Sequence, residues 1–103
     1  LGDWQYYRIT TPADAAQLKV TLTKLSADVD LYLRKASRPQ QFEYNKRSIK
    51  VGTLSETITI KNPGENVWYI GAYGSAKGKY TVKAVLTMPL GGEQPLEEET
   101  PDF

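Results

Sequence analysis

From Trp4 to Met88 the chain is a succession of short segments in which apolar and polar residues alternate at every second position, the period of strands with one wet face. Residues 17 to 25 set Leu18, Val20 and Leu22 against Lys19, Thr21 and Thr23. Asp30 to Lys35 turns Leu31 and Leu33 inward and Tyr32 and Arg34 outward, and Glu56 to Lys61 sets Ile58 and Ile60 against Thr57 and Thr59. Trp68, Ile70 and Ala72 alternate with Tyr69, Gly71 and Tyr73, and Tyr80, Val82, Ala84 and Leu86 with Thr81, Lys83 and Val85, two runs that predict a terminal hairpin. Residues 4 to 10 alternate more weakly, and Trp4 and Tyr6 are expected in the core because large aromatics fill the interface of a small sandwich. Ala36 to Thr53 has no clean period and predicts one strand between loops.

Turn residues punctuate these runs at Thr11-Pro12-Ala13-Asp14, Ser26-Ala27-Asp28, Lys61 to Asn66 and Gly74 to Gly78. A spacing of about ten residues between turns, with no helical stripe between strands, predicts an all-β fold: a jelly-roll-like antiparallel β-sandwich of about 7–8 strands. Residues 1–88 form this body, and 89–103 read as an acidic, Pro/Gly-containing linker or disordered tail.

Charge sharpens that division. The body carries 13 basic and seven acidic side chains, a net of +6, whereas Glu93, Glu97, Glu98, Glu99 and Asp102 fall in the last eleven residues. Cysteine and histidine are both absent, which excludes thiol nucleophiles, disulfides, imidazole- or thiolate-based zinc sites and the usual general base near neutral pH. Neither a Gly-x-Ser-x-Gly nor a Ser-x-x-Lys string occurs, so no enzyme activity is expected. No run approaches the roughly 18 apolar residues of a membrane helix. The start, Leu1-Gly2-Asp3-Trp4, has neither an initiator Met nor a basic-then-apolar leader, as expected of a segment of a longer chain.

Four strings recur in a telling order: Gly2-Asp3-Trp4-Gln5-Tyr6-Tyr7-Arg8-Ile9, Leu18-Lys19-Val20-Thr21-Leu22, Asp28-Val29-Asp30-Leu31-Tyr32-Leu33-Arg34 and Trp68-Tyr69-Ile70-Gly71-Ala72-Tyr73-Gly74. Together they resemble the bacterial pre-peptidase C-terminal domain family over residues 2 to about 87. The resemblance implies a non-catalytic accessory domain of a secreted bacterial or archaeal protein, a peptidase or another hydrolase, that binds an extended polymer or aids export and stability. The alternative is a structural or protein–protein interaction domain that docks on its parent protein or an exported assembly. The architecture is also similar to that of collagenase collagen-binding domains. By that similarity Tyr73 stands where one collagen-contacting tyrosine stands, Tyr44 falls near another, and Ser75 takes the place of the next aromatic.

The residues offer three candidate sites. Tyr69 and Tyr73 share the outward face of one strand with Gly71 between them, a shallow groove with a backbone floor, to which the loop carrying Phe42 and Tyr44 can contribute. The other reading packs these rings under that loop. Asp28 and Asp30, two apart on an extended segment, can share Ca²⁺, the one candidate cofactor, or close a turn and pair with basic residues. The resemblance adds that related domains complete a calcium site with acids from an N-terminal linker. Arg34, Lys35, Arg38, Lys46, Arg47 and Lys50 read as a solvated face, since no helix or Gly-rich phosphate cradle accompanies them, so a nucleic-acid partner is not expected. The expected partners are an extended polymer such as a collagen-like protein or polysaccharide, or the parent protein's other domains; no membrane partner is expected, and the domain is expected to be monomeric.

Overall fold

The computed structural model describes residues 3–50, 52–74, 79–88 and, as backbone, 97–98. Among them are eight strands: β1 Asp3–Thr11, β2 Gln17–Thr23, β3 Val29–Lys35, β4 Lys46–Ser48, β5 Glu56–Lys61, β6 Asn66–Gly74, β7 Thr81–Thr87 and β8 Glu97–Glu98. All pairings are antiparallel. They build a five-stranded sheet ordered β4-β3-β6-β1-β8 and a three-stranded sheet ordered β5-β2-β7.

The inner faces carry the alternating apolar residues. Tyr7, Ile9, Leu31, Leu33, Trp68, Ile70 and Ala72 from one sheet meet Leu18, Val20, Leu22, Ile58, Ala84 and Leu86 from the other in a single core. A fully buried Leu or Ile is worth about 1.5–3 kcal/mol, against roughly 0.2–1 kcal/mol for a favourable cross-strand pair on the wet face. The inward leucine row therefore fixes the register, and a slip of one residue would turn all of it into water. Polar groups at the rim are satisfied: the single Thr11 hydroxyl proton is shared between the Gly64 and Asn66 carbonyls, the Trp68 indole N–H donates to Pro63 O at 3.3 Å, and the Tyr7 and Tyr80 hydroxyls bond at 2.9 Å.

Two expectations change. β6 and β7 do not form a hairpin: β6 is the centre of the larger sheet, between β1 and β3, whereas β7 pairs with β2 across the sandwich. Alternation tells which side chains are buried, not which strand lies alongside, and β6 and β7, though consecutive, belong to opposite sheets. Trp4 and Tyr6 are not core residues. Tyr7, Ile9 and Thr11 take the inward phase of β1, which leaves Trp4 and Tyr6 half-buried on the outer face of the larger sheet. The strand expected within residues 36 to 53 is β4. Of the acidic tail, residues 89–96 and 99–103 lie outside the described residues; Glu97–Glu98 pair with β1, Glu98 opposite Tyr7 and Glu97 opposite Arg8.

Candidate functional site: an aromatic face and a carboxylate corner

The outer face of the larger sheet is built around Gly71. The register places Gly71 between Tyr6 on β1 and Tyr32 on β3, at the centre of the sheet. A Cβ there would lie 2.7 Å from Trp4 Cζ3 and 2.8 Å from Pro39 Cγ. The floor expected to lie open between Tyr69 and Tyr73 is thus filled by the protein's own Trp4 and Pro39, and Pro39 is buried. From Trp4 the contacts spread: Tyr6 stacks on it with centroids 5.4 Å apart and planes within 4°, Tyr73 tilts against it at 4.7 Å, and Tyr32 meets it edge-on at 5.1 Å. Tyr44 meets the edge of Tyr32 at 5.6 Å, and Arg47 lies over the Tyr44 ring at 4.9 Å. Burial raises the Tyr32 phenol above its usual pKa, with the Asp30 charge adding to the effect while a hydrogen bond from Arg47 opposes it. Tyr69 stands apart from this cluster, half-buried between Arg8 and Arg34 in register.

The segment from Ala36 to Asn45 lies over this face because both of its ends are tied. Ala36 takes a left-handed φ of 73° and donates its N–H to Val67 O at 2.8 Å, turning the chain back at the end of β3. Such a φ costs a non-glycine residue roughly 1–2 kcal/mol, which the ties around it must offset. The Lys35 N–H donates to Asn45 Oδ1 at 2.7 Å, and the Asn45 N–H donates to Leu33 O at 2.8 Å. In between, the Tyr6 hydroxyl donates to Pro39 O at 3.0 Å, Arg38 lies over the Tyr6 ring at 4.7 Å, and Arg34 reaches Arg38 O and the Glu43 carboxylate, each at 3.3 Å. Gln40 and Glu43 exchange backbone hydrogen bonds of 2.8 and 3.0 Å around a tight turn, which holds Phe42 at the tip. Phe42 is 86% exposed. Beside it opens a cavity of about 540 Å³ lined by Trp4, Tyr6, Gln40, Gln41, Phe42 and Glu43.

At one rim of the sandwich Asp28 and Asp30 converge with a third carboxylate, Glu56. One oxygen of each lies within 4.8 Å of the others. Glu56 opens β5 in phase with Ile58, so its side chain points between the sheets and is wholly buried. Its Oε2 accepts the Lys50 N–H at 3.3 Å, while Oε1 has no hydrogen-bond partner among the described residues. Burial pushes this carboxyl up to about 7, opposed by a hydrogen bond from Ser48 and raised further by the Asp30 charge. Burial raises Asp30 as well, with the Asp28 charge adding to it. Three hard oxygen donors with one buried acceptor left over suit a hard cation such as Ca²⁺. Sequence reading missed Glu56, although an acid at the inward phase of an otherwise apolar alternation was the signal that could have found it.

Of the aromatic candidates, Tyr44 and Tyr73 join one cluster, Phe42 stands at its margin on the loop tip, and Tyr69 lies outside it. Ser75 lies outside the described residues. Compared with known families, residues 3–74 match the model of the bacterial pre-peptidase C-terminal domain. The chain belongs to this family. No curated protein matches the sequence significantly. Pre-peptidase C-terminal domains are non-catalytic and are typically found in secreted bacterial proteases.

Glu56 generates a pH prediction. Its carboxyl binds a proton more tightly in the folded state than at the ordinary 4.5, so folding stability declines as pH rises from about 4.5 through about 7, where a buried carboxyl must ionise. In chelator-treated buffer the melting temperature should fall between pH 5 and pH 8, and Glu56→Gln should flatten that fall. An unchanged slope in the variant would place the carboxyl's titration elsewhere.

Proposed function

We propose that this pre-peptidase C-terminal domain is a non-catalytic accessory module of a secreted bacterial or archaeal peptidase or other hydrolase, and that it binds an extended polymer along the margin of its aromatic face. The observation that carries this reading is Phe42, a large apolar ring held 86% exposed on a tied turn beside the cavity that Trp4 and Tyr6 line. A side chain that gains nothing from the core and sits on a braced loop is suited to a partner. The cavity offers apolar rings on one side and the side chains of Gln40, Gln41 and Glu43 on the other. That mixture suits a ligand with both apolar faces and hydrogen-bonding groups along its length, such as a collagen-like protein or a polysaccharide. Tyr44 and Tyr73 brace the rings behind it. Within this reading Tyr69 is a separate contact, beside Arg8 and Arg34.

Calcium belongs to the same proposal as a stabilising ion. Asp28, Asp30 and Glu56 would hold it, and Glu56 is the residue that favours the ion over a plain turn, since its buried Oε1 is left without a donor. Ca²⁺ takes six to eight oxygens, so three carboxylates would be completed by water or further chain oxygens.

Polymer binding is tested by pull-down of the domain with insoluble collagen, gelatin, chitin and cellulose. At least one polymer should retain it, and Phe42→Ala, a change at an exposed ring that leaves the core intact, should weaken retention about ten-fold. Retention by none of the four, or retention indifferent to Phe42→Ala, would favour docking on the parent protein instead. Calcium is tested by melting at pH 7.5: millimolar Ca²⁺ should raise the midpoint because an ion bound only by the folded state stabilises it, and Glu56→Gln should remove most of the rise. Equal midpoints with Ca²⁺ and with chelator would leave the three acids a purely structural cluster.

A further inference from the structure

The lining of the cavity beside Phe42 discriminates among extended polymers. Gln40 and Gln41 are adjacent on the turn and both line the cavity, and neither side-chain amide has a hydrogen-bond partner among the described residues, the turn itself being closed through the Gln40 and Glu43 backbones. Each amide offers two N–H donors and a carbonyl acceptor. The Phe42 ring touches no other ring among the described residues, whereas Trp4 and Tyr6 are stacked on each other and Arg38 lies over Tyr6. One flat apolar platform therefore stands open beside two unengaged amides. Glu43 alone among the lining residues is charged, and Arg34 already lies 3.3 Å from its carboxylate.

These features suit some polymers and not others. A proline-rich strand is gripped between several aromatic ridges and presents few N–H donors, so a single open ring with two amides matches it poorly. A polyanion requires cations facing it, and the lining has none. A chain of neutral sugars meets each feature. A pyranose ring with equatorial substituents has a flat C–H face that stacks on an aromatic ring, and its hydroxyls both donate and accept, as the two amides do. The cavity volume of about 540 Å³ falls within the roughly 300–1,000 Å³ of ligand sites. Gln40, Gln41 and Phe42 are all exposed, so a polymer can run on past the cavity into solvent.

We propose, resting on the polymer-binding role of this face, that the cavity is a subsite for an uncharged, β-linked polysaccharide of the glucose or N-acetylglucosamine type. Phe42 stacks on one sugar ring, and Gln40 and Gln41 bond its hydroxyls from the side. The two amides distinguish a sugar from a peptide strand, and the paired state of Glu43 keeps the subsite from demanding a charged ligand.

Calorimetric titration of the full chain with cellohexaose and with chitohexaose tests the assignment. At least one of the two should bind and saturate, and it should shift the tryptophan emission, because Trp4 lines the cavity while Trp68 is buried. Substituting Gln40→Ala together with Gln41→Ala removes the hydrogen bonds and should weaken binding about ten-fold. The same double variant should keep the melting temperature of the parent, since neither amide is bonded within the described protein. Maltohexaose, whose α linkages curl the chain away from a flat platform, should bind more weakly. If neither β-linked hexamer binds while collagen or gelatin retains the domain through Phe42, the sugar assignment is overturned and the polymer-binding role stands. If no sugar and no protein polymer binds, both fall. Sugar binding indifferent to the double substitution would put the sugar elsewhere on the protein and overturn the subsite.

Discussion

The absence of a side chain at Gly71 organises the outer face of the larger sheet. β6 lies at the centre of that sheet, and every other outward position near its middle carries a ring or a long polar chain: Tyr6 and Tyr32 beside Gly71, Tyr69 and Tyr73 before and after it. Only at Gly71 is there room for Trp4 and Pro39 to reach the backbone, with contacts so close that a methyl group would collide with both. Once Trp4 is seated, Tyr6, Tyr73 and Tyr32 pack against its edges and face. Once Pro39 is seated, its carbonyl receives the Tyr6 hydroxyl and the loop bearing Phe42 is brought over the sheet. The exposed ring and the cavity beside it are therefore products of one empty position on the central strand.

The carboxylate corner obeys a different constraint. Its acids come from the turn before β3, from β3 itself and from the start of β5, two strands in opposite sheets, so it sits where the sheets meet at a rim. A carboxyl at that depth resists ionisation, which pushes Glu56 up to about 7, and the nearby Asp30 charge raises it further. The aromatic face and the corner meet at β3, where Asp30 and Tyr32 alternate with the buried Val29 and Leu31. The Asp30 charge contributes to raising the Tyr32 phenol, so the two regions share electrostatics as well as a strand.

Much of the fold was legible because burial in a sandwich follows a period of two. The inward residues of β2, β3, β5 and β6 are the ones their alternation indicates. Partner choice was not legible: β6 and β7 follow each other in sequence and alternate in the same way, yet one is central in its sheet and the other pairs with β2. Trp4 and Tyr6 read as core because aromatics are large and apolar, but the phase of β1 is set by Tyr7, Ile9 and Thr11, and the rings found their partners on the other face. The cluster of Tyr44 with Tyr73 depends on a loop that crosses the sheet, a contact no local pattern encodes. Asp28 and Asp30 showed themselves by spacing, whereas Glu56 is 26 residues beyond Asp30 and joins them only through packing.

The central claim, that Trp4 and Pro39 close over the backbone of Gly71, is tested most directly by proton NMR of the domain in solution. The Gly71 Hα that points out of the sheet should lie in the shielding region of the Trp4 indole, be displaced well upfield of ordinary glycine, and show cross-relaxation to both the Trp4 ring and the Pro39 side-chain protons. An Hα at an ordinary shift, with cross-peaks to neither residue, would contradict the account and leave the outer face of the sheet open.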